Sequence, residues 1–453
     1  TIGRRMTDVS VRGPWILMHA SQSGTRQLWL AGVAAFCTYF CVYAFRKPFT
    51  AGTFEGQELF GFALKAILVI AQLLGYMASK FIGIRVISET RREYRALALI
   101  ALVLVSELAL VGFEFVPAVL KPLMLFLNGL PLGLTFGLVL AYLEGRAQTE
   151  ALSAALCASF ITSSGVVKSV GRWLIQDMGV SEYRMPFVTG LIFLLPLLAS
   201  VWLLQATPQP NEVDRRLRRE RDVMGRAARR QFVSAYWPGL ALLVFVYSAL
   251  TVIRTIRDDF AVEIWRDMGV SQTPSVFARA EIIVAVCVTA LNALSIWVRN
   301  NQLALRITTA MMCGAFALVG ASALLQAAQR ASPFAFMVAS GIGLYIPYVA
   351  FHTTVFERLI AVARHPCNLG FLMYLADSIG YLGYAVVILL KTAMSSSITV
   401  LPFFIGALEI VAALSIVALL LALFWLERRL ASDRQIVAAP GEIAAVEELA
   451  PAE

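Results

Sequence analysis

Hydrophobic and polar positions change along this chain in long blocks. Uncharged runs such as LWLAGVAAFCTYFCVYA, residues 28–44, give way to short charged clusters such as Arg46 with Lys47, and the pattern recurs to the C-terminal tail. Blocks of about twenty apolar residues are long enough to cross a hydrocarbon core of about 30 Å at about 1.5 Å per helical residue. With breaker residues as boundaries, the pattern predicts twelve transmembrane helices at about 27–53, 59–84, 95–114, 118–145, 149–176, 183–205, 236–263, 276–298, 302–326, 332–361, 366–391 and 397–427. The predicted fold class is therefore an all-α integral membrane protein.

The connections between blocks alternate in charge. One side carries Arg4, Arg5 and Arg12, then Arg85, Arg91, Arg92 and Arg95, Arg146, Arg299 and Arg306, Arg358 and Arg364, and Arg428 with Arg429. The other carries Glu55, Glu58, Glu114, Asp177, Glu182, Asp258, Asp259 and Asp267. The positive-inside rule then puts both termini in the cytoplasm. The one long charged connection, residues 206–235, has eight arginines and four acids, with six predicted helices on each side.

The organisation that follows is a cytoplasmic segment 1–26, a six-helix bundle 27–205, a basic linker 206–235, a second bundle 236–427, and a cytoplasmic, acidic tail 428–453 expected to be disordered. The linker reads as a solvated connection whose arginines also suit an anionic lipid surface. Six plus six helices about a basic connection resembles the layout of the major facilitator superfamily, which binds substrate near mid-membrane between two pseudo-symmetric halves.

Composition agrees with the block pattern. Hydrophobic residues are 59% and charged residues 15% of the chain, against roughly 45–50% and about 25% in soluble domains. A net charge of +9 would suggest a nucleic-acid partner in a soluble protein, but here the arginines sit in loops between apolar blocks, and topology accounts for them. No nucleic acid is implied. The six cysteines, at 37, 41, 157, 287, 313 and 367, show no CxxC spacing, so neither a metal nor a disulfide framework is expected. No cofactor is implied either. WILM is too short for the core of a cleavable signal, and the first long block is expected to act as an uncleaved anchor.

Ionisable residues within the apolar blocks carry the functional signal, because a charge at mid-helix costs at least about 2.5–3.5 kcal/mol. Arg46 lies about 27 Å along its helix, and depth alone leaves both an interfacial anchor and a cavity residue open. Lys80 precedes Arg85 by five residues and can snorkel. Lys168 and Arg172 share one helix face among small residues, with Lys168 the better cavity candidate. Arg254 and Arg257 repeat in the seventh helix the theme of the first, and pairing of Arg254 with Asp258 four residues on is the local alternative. Asp377 is about 16 Å into its helix, placed either to carry protons or to tie down a cation. Glu281 and Glu144 stand nearer helix ends. His352 sits in an aromatic run as either a core or a cavity residue. Arg46, Lys80, Lys168 and Arg254 thus face one deeply placed acid, a surplus that a bound anion would balance.

FRKPF (45–49), GFALKAILVIAQLLGYMASKF (61–81), NGLPLGLTFG (128–137) and GYLG (380–383) together resemble the organophosphate:phosphate antiporters of the major facilitator superfamily, the group of glycerol-3-phosphate and hexose-6-phosphate transporters. The resemblance implies that Arg46 and Arg254 are a pair of substrate-phosphate arginines, that Lys80 is the helix 2 lysine, and that Lys168 stands where the glycerol-3-phosphate member has histidine. Tyr43, Arg172, Arg257, His352 and Tyr381 are further cavity candidates. The implied protein is a secondary transporter, monomeric and in a bacterial inner membrane, exchanging a phosphate ester for inorganic phosphate by alternating access. A proton-coupled organic-anion symporter using Asp377 and a transporter-like receptor for a phosphate ester are the alternatives. An enzyme is not expected, since HExxH, GxSxG and a second mid-membrane acid to pair with Asp377 are all missing from the sequence.

Overall fold

The computed structural model describes residues 14–438 apart from 90, 144–148, 209–225, 271–272, 297, 299, 364–366, 368 and 395–399. Its helices are α1 (Pro14–Tyr43), α2 (Leu64–Glu89), α3 (Arg92–Phe115), α4 (Lys121–Leu143), α5 (Thr149–Gln176), α6 (Met185–Gln205), α7 (Arg226–Asp259), the short α8 (Ala261–Asp267), α9 (Ser275–Ile296), α10 (Asn301–Ala327), α11 (Pro333–Val362), α12 (Leu369–Met394) and α13 (Val400–Ala438). Among the described residues, nine helices are long and apolar enough to cross a membrane. Helix is what a hydrocarbon solvent selects, because every backbone N–H and C=O finds its partner within the segment. Large apolar side chains such as Leu108, Leu195 and Trp202 are exposed, as a lipid-facing surface requires.

The packing repeats itself. In the first half α1 packs on α5 and α6, α4 on α2 and α3, and α3 on α6; in the second, α7 packs on α12 and α13, α11 on α9 and α10, and α10 on α13. Each helix before the linker thus has a counterpart after it with equivalent neighbours. The halves meet through α5 against α9 and α2 against α12, which are again equivalent contacts. Glycine sets the closest approach within a half: a Cβ on Gly129 would lie 2.2 Å from the Gln72 carbonyl oxygen, and one on Gly75 would lie 2.1 Å from that of Phe126. Backbones of α2 and α4 touch where no side chain intervenes.

Several expected boundaries move. Helix α1 begins at Pro14 and ends at Tyr43, where 27–53 was expected; a 3₁₀ turn, Pro48–Ala51, and a two-stranded hairpin, Glu58–Leu59 with Phe62–Ala63, join it to α2. Helix α7 starts at Arg226, inside the segment expected to be linker, because apolar hydropathy marks the buried length of a helix and not its polar extension into water. Likewise α13 continues to Ala438, into the expected tail. Residues 209–225 of the linker and 439–453 of the tail lie outside the described residues, as do 1–13 of the N-terminal segment. Helix α11 contains a π turn at Phe351–Val355, around His352.

Candidate functional site

Helix α1 stops short because the chain turns at residues 44–47 ahead of Pro48, which has no N–H with which to continue an α-helix. The N–H groups of Ala44, Phe45, Arg46 and Lys47 close the turn by donating to the carbonyls of Cys41, Val42 and Tyr43. The first half thereby delivers two adjacent cations to the middle of the molecule. Helix α7, the counterpart of α1, ends at Asp259 and breaks at Phe260, and it delivers Arg254, Asp258 and Asp259 from the other side.

Four of these groups form an ionic layer between the halves. Lys168 of α5 is 2% exposed and pairs with Asp258, which also accepts from Ser164 and from the Tyr43 hydroxyl at 2.7 Å. Lys47, 6% exposed, pairs with Asp259 and lies 3.7 Å from Asp258. Asp259 accepts in addition from the Tyr384 hydroxyl at 2.8 Å. Beside the layer, Lys65 pairs with Glu263 at 2.5 Å and donates to the Thr50 carbonyl at 3.0 Å. A buried pair holds when other hydrogen bonds satisfy the remaining lone pairs, as those from Tyr43, Ser164 and Tyr384 do for Asp258 and Asp259.

Deeper in the bundle the halves meet through rings. Tyr76 of α2 packs edge-on to Tyr381 of α12 at 6.0 Å, and Phe160 of α5 packs edge-on to Tyr348 of α11 at 5.7 Å. On α5, Phe160 lies about 12 Å below Lys168, and on α2 Tyr76 lies about 16 Å below Lys65.

Between the two layers is a cavity of about 80 Å³, lined from both halves, with room for several water molecules or a small polyatomic ion. Its walls are rich in tyrosine, with Tyr39, Tyr43, Tyr76, Tyr348 and Tyr381, and carry Arg46 and Arg254. The Arg46 guanidinium lies 3.7 Å over the Tyr76 ring; that of Arg254, 8% exposed, lies 4.2 Å over Tyr348. A ring face attracts a cation but leaves its N–H fork unsatisfied in the ring plane. The Nε atoms of both arginines are buried without a hydrogen-bond partner among the described residues, and Arg254 has a long contact, 3.5 Å, to Thr255 Oγ1. Among the described residues, neither arginine is in a salt bridge. The charges of Lys47, Lys168, Asp258 and Asp259 cancel, which leaves the two guanidiniums in a cavity whose lining also includes Asp377, where it accepts from Tyr247.

The structure brings Arg46, Arg254, Asp377, Tyr43, His352 and Tyr381 to this one cavity. Lys168 is not among the lining residues, because Asp258 holds it in the ionic layer. Arg257 turns away to Glu281 at 2.7 Å and the Met337 carbonyl at 2.8 Å, and Arg172 reaches the Ala51 carbonyl at 3.4 Å. The side chain of Lys80 lies outside the described residues. Asp258 and Asp259, placed by the charge pattern in an outward loop, are buried, and so is Lys47, which pairs with Asp259. The local alternative of an Arg254–Asp258 pair is not formed, because Asp258 binds Lys168. The tally of one deep acid fails with them, since Glu263, Glu281 and Glu107 are buried as well. The available signal was the equivalence of the halves, which sets Asp258 and Asp259 at the end of α7 opposite Lys47 just beyond the end of α1.

The model of a family of unknown function, DUF5690, matches residues 48–429. No protein of curated function matches the chain. Among solved structures, the chain is similar to one described as the crystal structure of D-xylose-proton symporter, with a TM-score of 0.60 and 14% identity over 87% of this chain and 96% of that one. At that identity the likeness is one of fold, the all-α integral membrane fold of the major facilitator superfamily.

Proposed function

The chain belongs to a family of unknown function, DUF5690, and from the geometry of its cavity we propose that it is a secondary transporter of a small organic anion, working by alternating access. One observation carries the reading: Arg46 and Arg254, one from each half, line the same cavity, and among the described residues their Nε atoms are unbonded and no carboxylate is in ion-pair contact with them. Two guanidinium forks placed on opposite halves suit the several oxygens of one phosphate or carboxylate group. An anion bridging them would draw the halves together around it. With charge bias placing the termini in the cytoplasm, the ionic layer closes the outward end and the aromatic pairs close the inward end. The finer reading is exchange of a phosphate ester for inorganic phosphate, supported by the FRKPF motif that supplies Arg46.

The test is ligand-dependent thermal stabilisation of the purified protein with inorganic phosphate, phosphate esters and carboxylates, followed by flux in proteoliposomes. A ligand that binds only the folded state raises the melting temperature as its concentration passes Kd. Stabilisation of the wild type by a phosphate compound, lost in Arg46→Ala and in Arg254→Ala, is expected; indifference to every anion would sink the reading. Binding with no flux would instead make the protein a receptor.

Proton-coupled symport is a second reading, favoured by the presence of Asp377 in the same cavity. Anion exchange alone survives Asp377→Asn, whereas proton-driven accumulation does not.

A further inference from the structure

Two amide side chains in the first half form a polar chain that ends on backbone. Asn128 of α4 is wholly buried. Its Oδ1 accepts from Gln72 Nε2 of α2 at 2.7 Å, while its Nδ2 donates to the Phe45 carbonyl at 2.9 Å and to Ser106 Oγ of α3 at 2.6 Å. Gln72 Nε2 donates also to the Arg46 carbonyl. The glycine beside Asn128 permits the meeting, since a Cβ at Gly129 would collide with the Gln72 carbonyl oxygen at 2.2 Å and force α2 and α4 apart.

The identity of the two acceptors gives this chain its meaning. Phe45 and Arg46 lie just beyond the end of α1, where no intrahelical N–H reaches their carbonyls. Irregular backbone persists at membrane depth only where it is buried in protein or lines a watery cavity, and here two buried amide groups satisfy it. The side chain whose direction this turn sets is Arg46, the guanidinium over Tyr76 in the cavity wall.

We propose that Gln72 and Asn128 are positioning residues that clamp the Phe45–Arg46 backbone and so aim the Arg46 guanidinium at a bound anion. The inference rests on the anion-binding reading of Arg46. The two amides differ in a useful way. Gln72 lines the cavity and is within reach of a ligand, whereas Asn128 is not among the lining residues and acts only through the backbone it holds. An effect of Asn128 on ligand affinity therefore reports positioning and not contact.

The experiment uses the full chain with inorganic phosphate as the probe, binding by titration calorimetry in detergent and exchange in proteoliposomes. Asn128→Asp keeps the shape but presents an oxygen where the amide donated to Phe45. Gln72→Met removes the donor to Arg46, and Ser106→Ala removes a second acceptor of Asn128 Nδ2, which keeps the Ser106 carbonyl at 3.1 Å, and is the structural control. Asn128→Asp and Gln72→Met are expected to weaken phosphate binding about tenfold to a hundredfold, the scale of a slightly misplaced binding group. The loss is expected in KM and not in the maximal rate, and Ser106→Ala should stay within about twofold of wild type. If Asn128→Asp does not fold, Asn128→Ser, which gives up the bond to the Phe45 carbonyl without lining the cavity, takes its place in the comparison.

Wild-type affinity in the folded amide variants, with binding abolished in Arg46→Ala, would overturn the clamp and leave the anion site standing. Equal losses in Ser106→Ala and the amide variants would reduce the pair to ordinary packing. No phosphate binding by the wild type would overturn the anion reading and the clamp with it.

Discussion

Lys168 of α5 and Asp258 of α7 form a buried ion pair that joins one half of the protein to the other, with side-chain exposures of 2% and 3%. Removing one partner from such a pair strands the other, at a cost of about 3–5 kcal/mol, while replacing both by apolar groups is far milder. Asp258→Asn should therefore lower the melting temperature sharply, and adding Lys168→Met should recover most of the loss. A single variant that melts with the wild type would show that the layer does not hold the halves together.

The two cavity arginines should behave in the opposite way. Neither is in a salt bridge among the described residues, so in phosphate-free buffer Arg46→Ala and Arg254→Ala should melt within about 1 kcal/mol of wild type or above it, as is common when a strained functional group is removed. Lys47→Met, which strands Asp259, should cost several times more. Thermal unfolding of the three unliganded variants side by side separates a ligand-binding charge from a structural one.

Gly129→Ala should destabilise by about 1–3 kcal/mol, since the new methyl must push α2 away from α4. Gly314→Ala in α10 meets nothing within 4 Å and should be neutral or stabilising by up to about 1 kcal/mol through helix propensity. Equal melting temperatures for the two variants would contradict the close α2–α4 contact.

Glu107 of α3 is 6% exposed and packed against Gly190 of α6, and among the described residues both its carboxyl oxygens lack a hydrogen-bond partner. An unsatisfied buried polar group costs about 1–3 kcal/mol. Glu107→Met, unbranched and of similar reach, should raise the melting temperature, and a lower one would mean that the carboxyl is held by a group it needs.

The helices were legible because lipid demands apolar length, and a run such as LFLNGLPLGLTFGLVLAYL has no other use. The breaks after Tyr43 and Asp259 were not legible, because hydropathy runs on through Phe45 and Phe260 while the hydrogen bonding changes. Arg46 and Arg254 stood out as cations at the ends of long apolar runs, and their meeting needed only the equivalence of the halves. Lys168 was recognised as buried but assigned to the cavity, since nothing local to α5 announces a carboxylate ninety residues away on α7. The Asp258–Asp259 pair looked like loop charge for the same reason: its partners are all distant in sequence. Gln72 and Asn128 carry no charge, and their role rests on backbone geometry that composition does not record.

The ionic layer and the aromatic pairs answer to different solvents. Parting Lys168 from Asp258 and Lys47 from Asp259 releases charges that water rehydrates and dissolved ions screen. Parting Tyr76 from Tyr381 and Phe160 from Tyr348 instead uncovers apolar surface, which sulfate-like salts and excluded osmolytes oppose. The composition of the medium therefore acts on the two ends of the cavity with opposite sign. In the proposed alternating-access cycle, chloride salts would ease the ionic end open and osmolytes would hold the aromatic end shut, so the balance between the two openings would follow the solution on either side of the membrane.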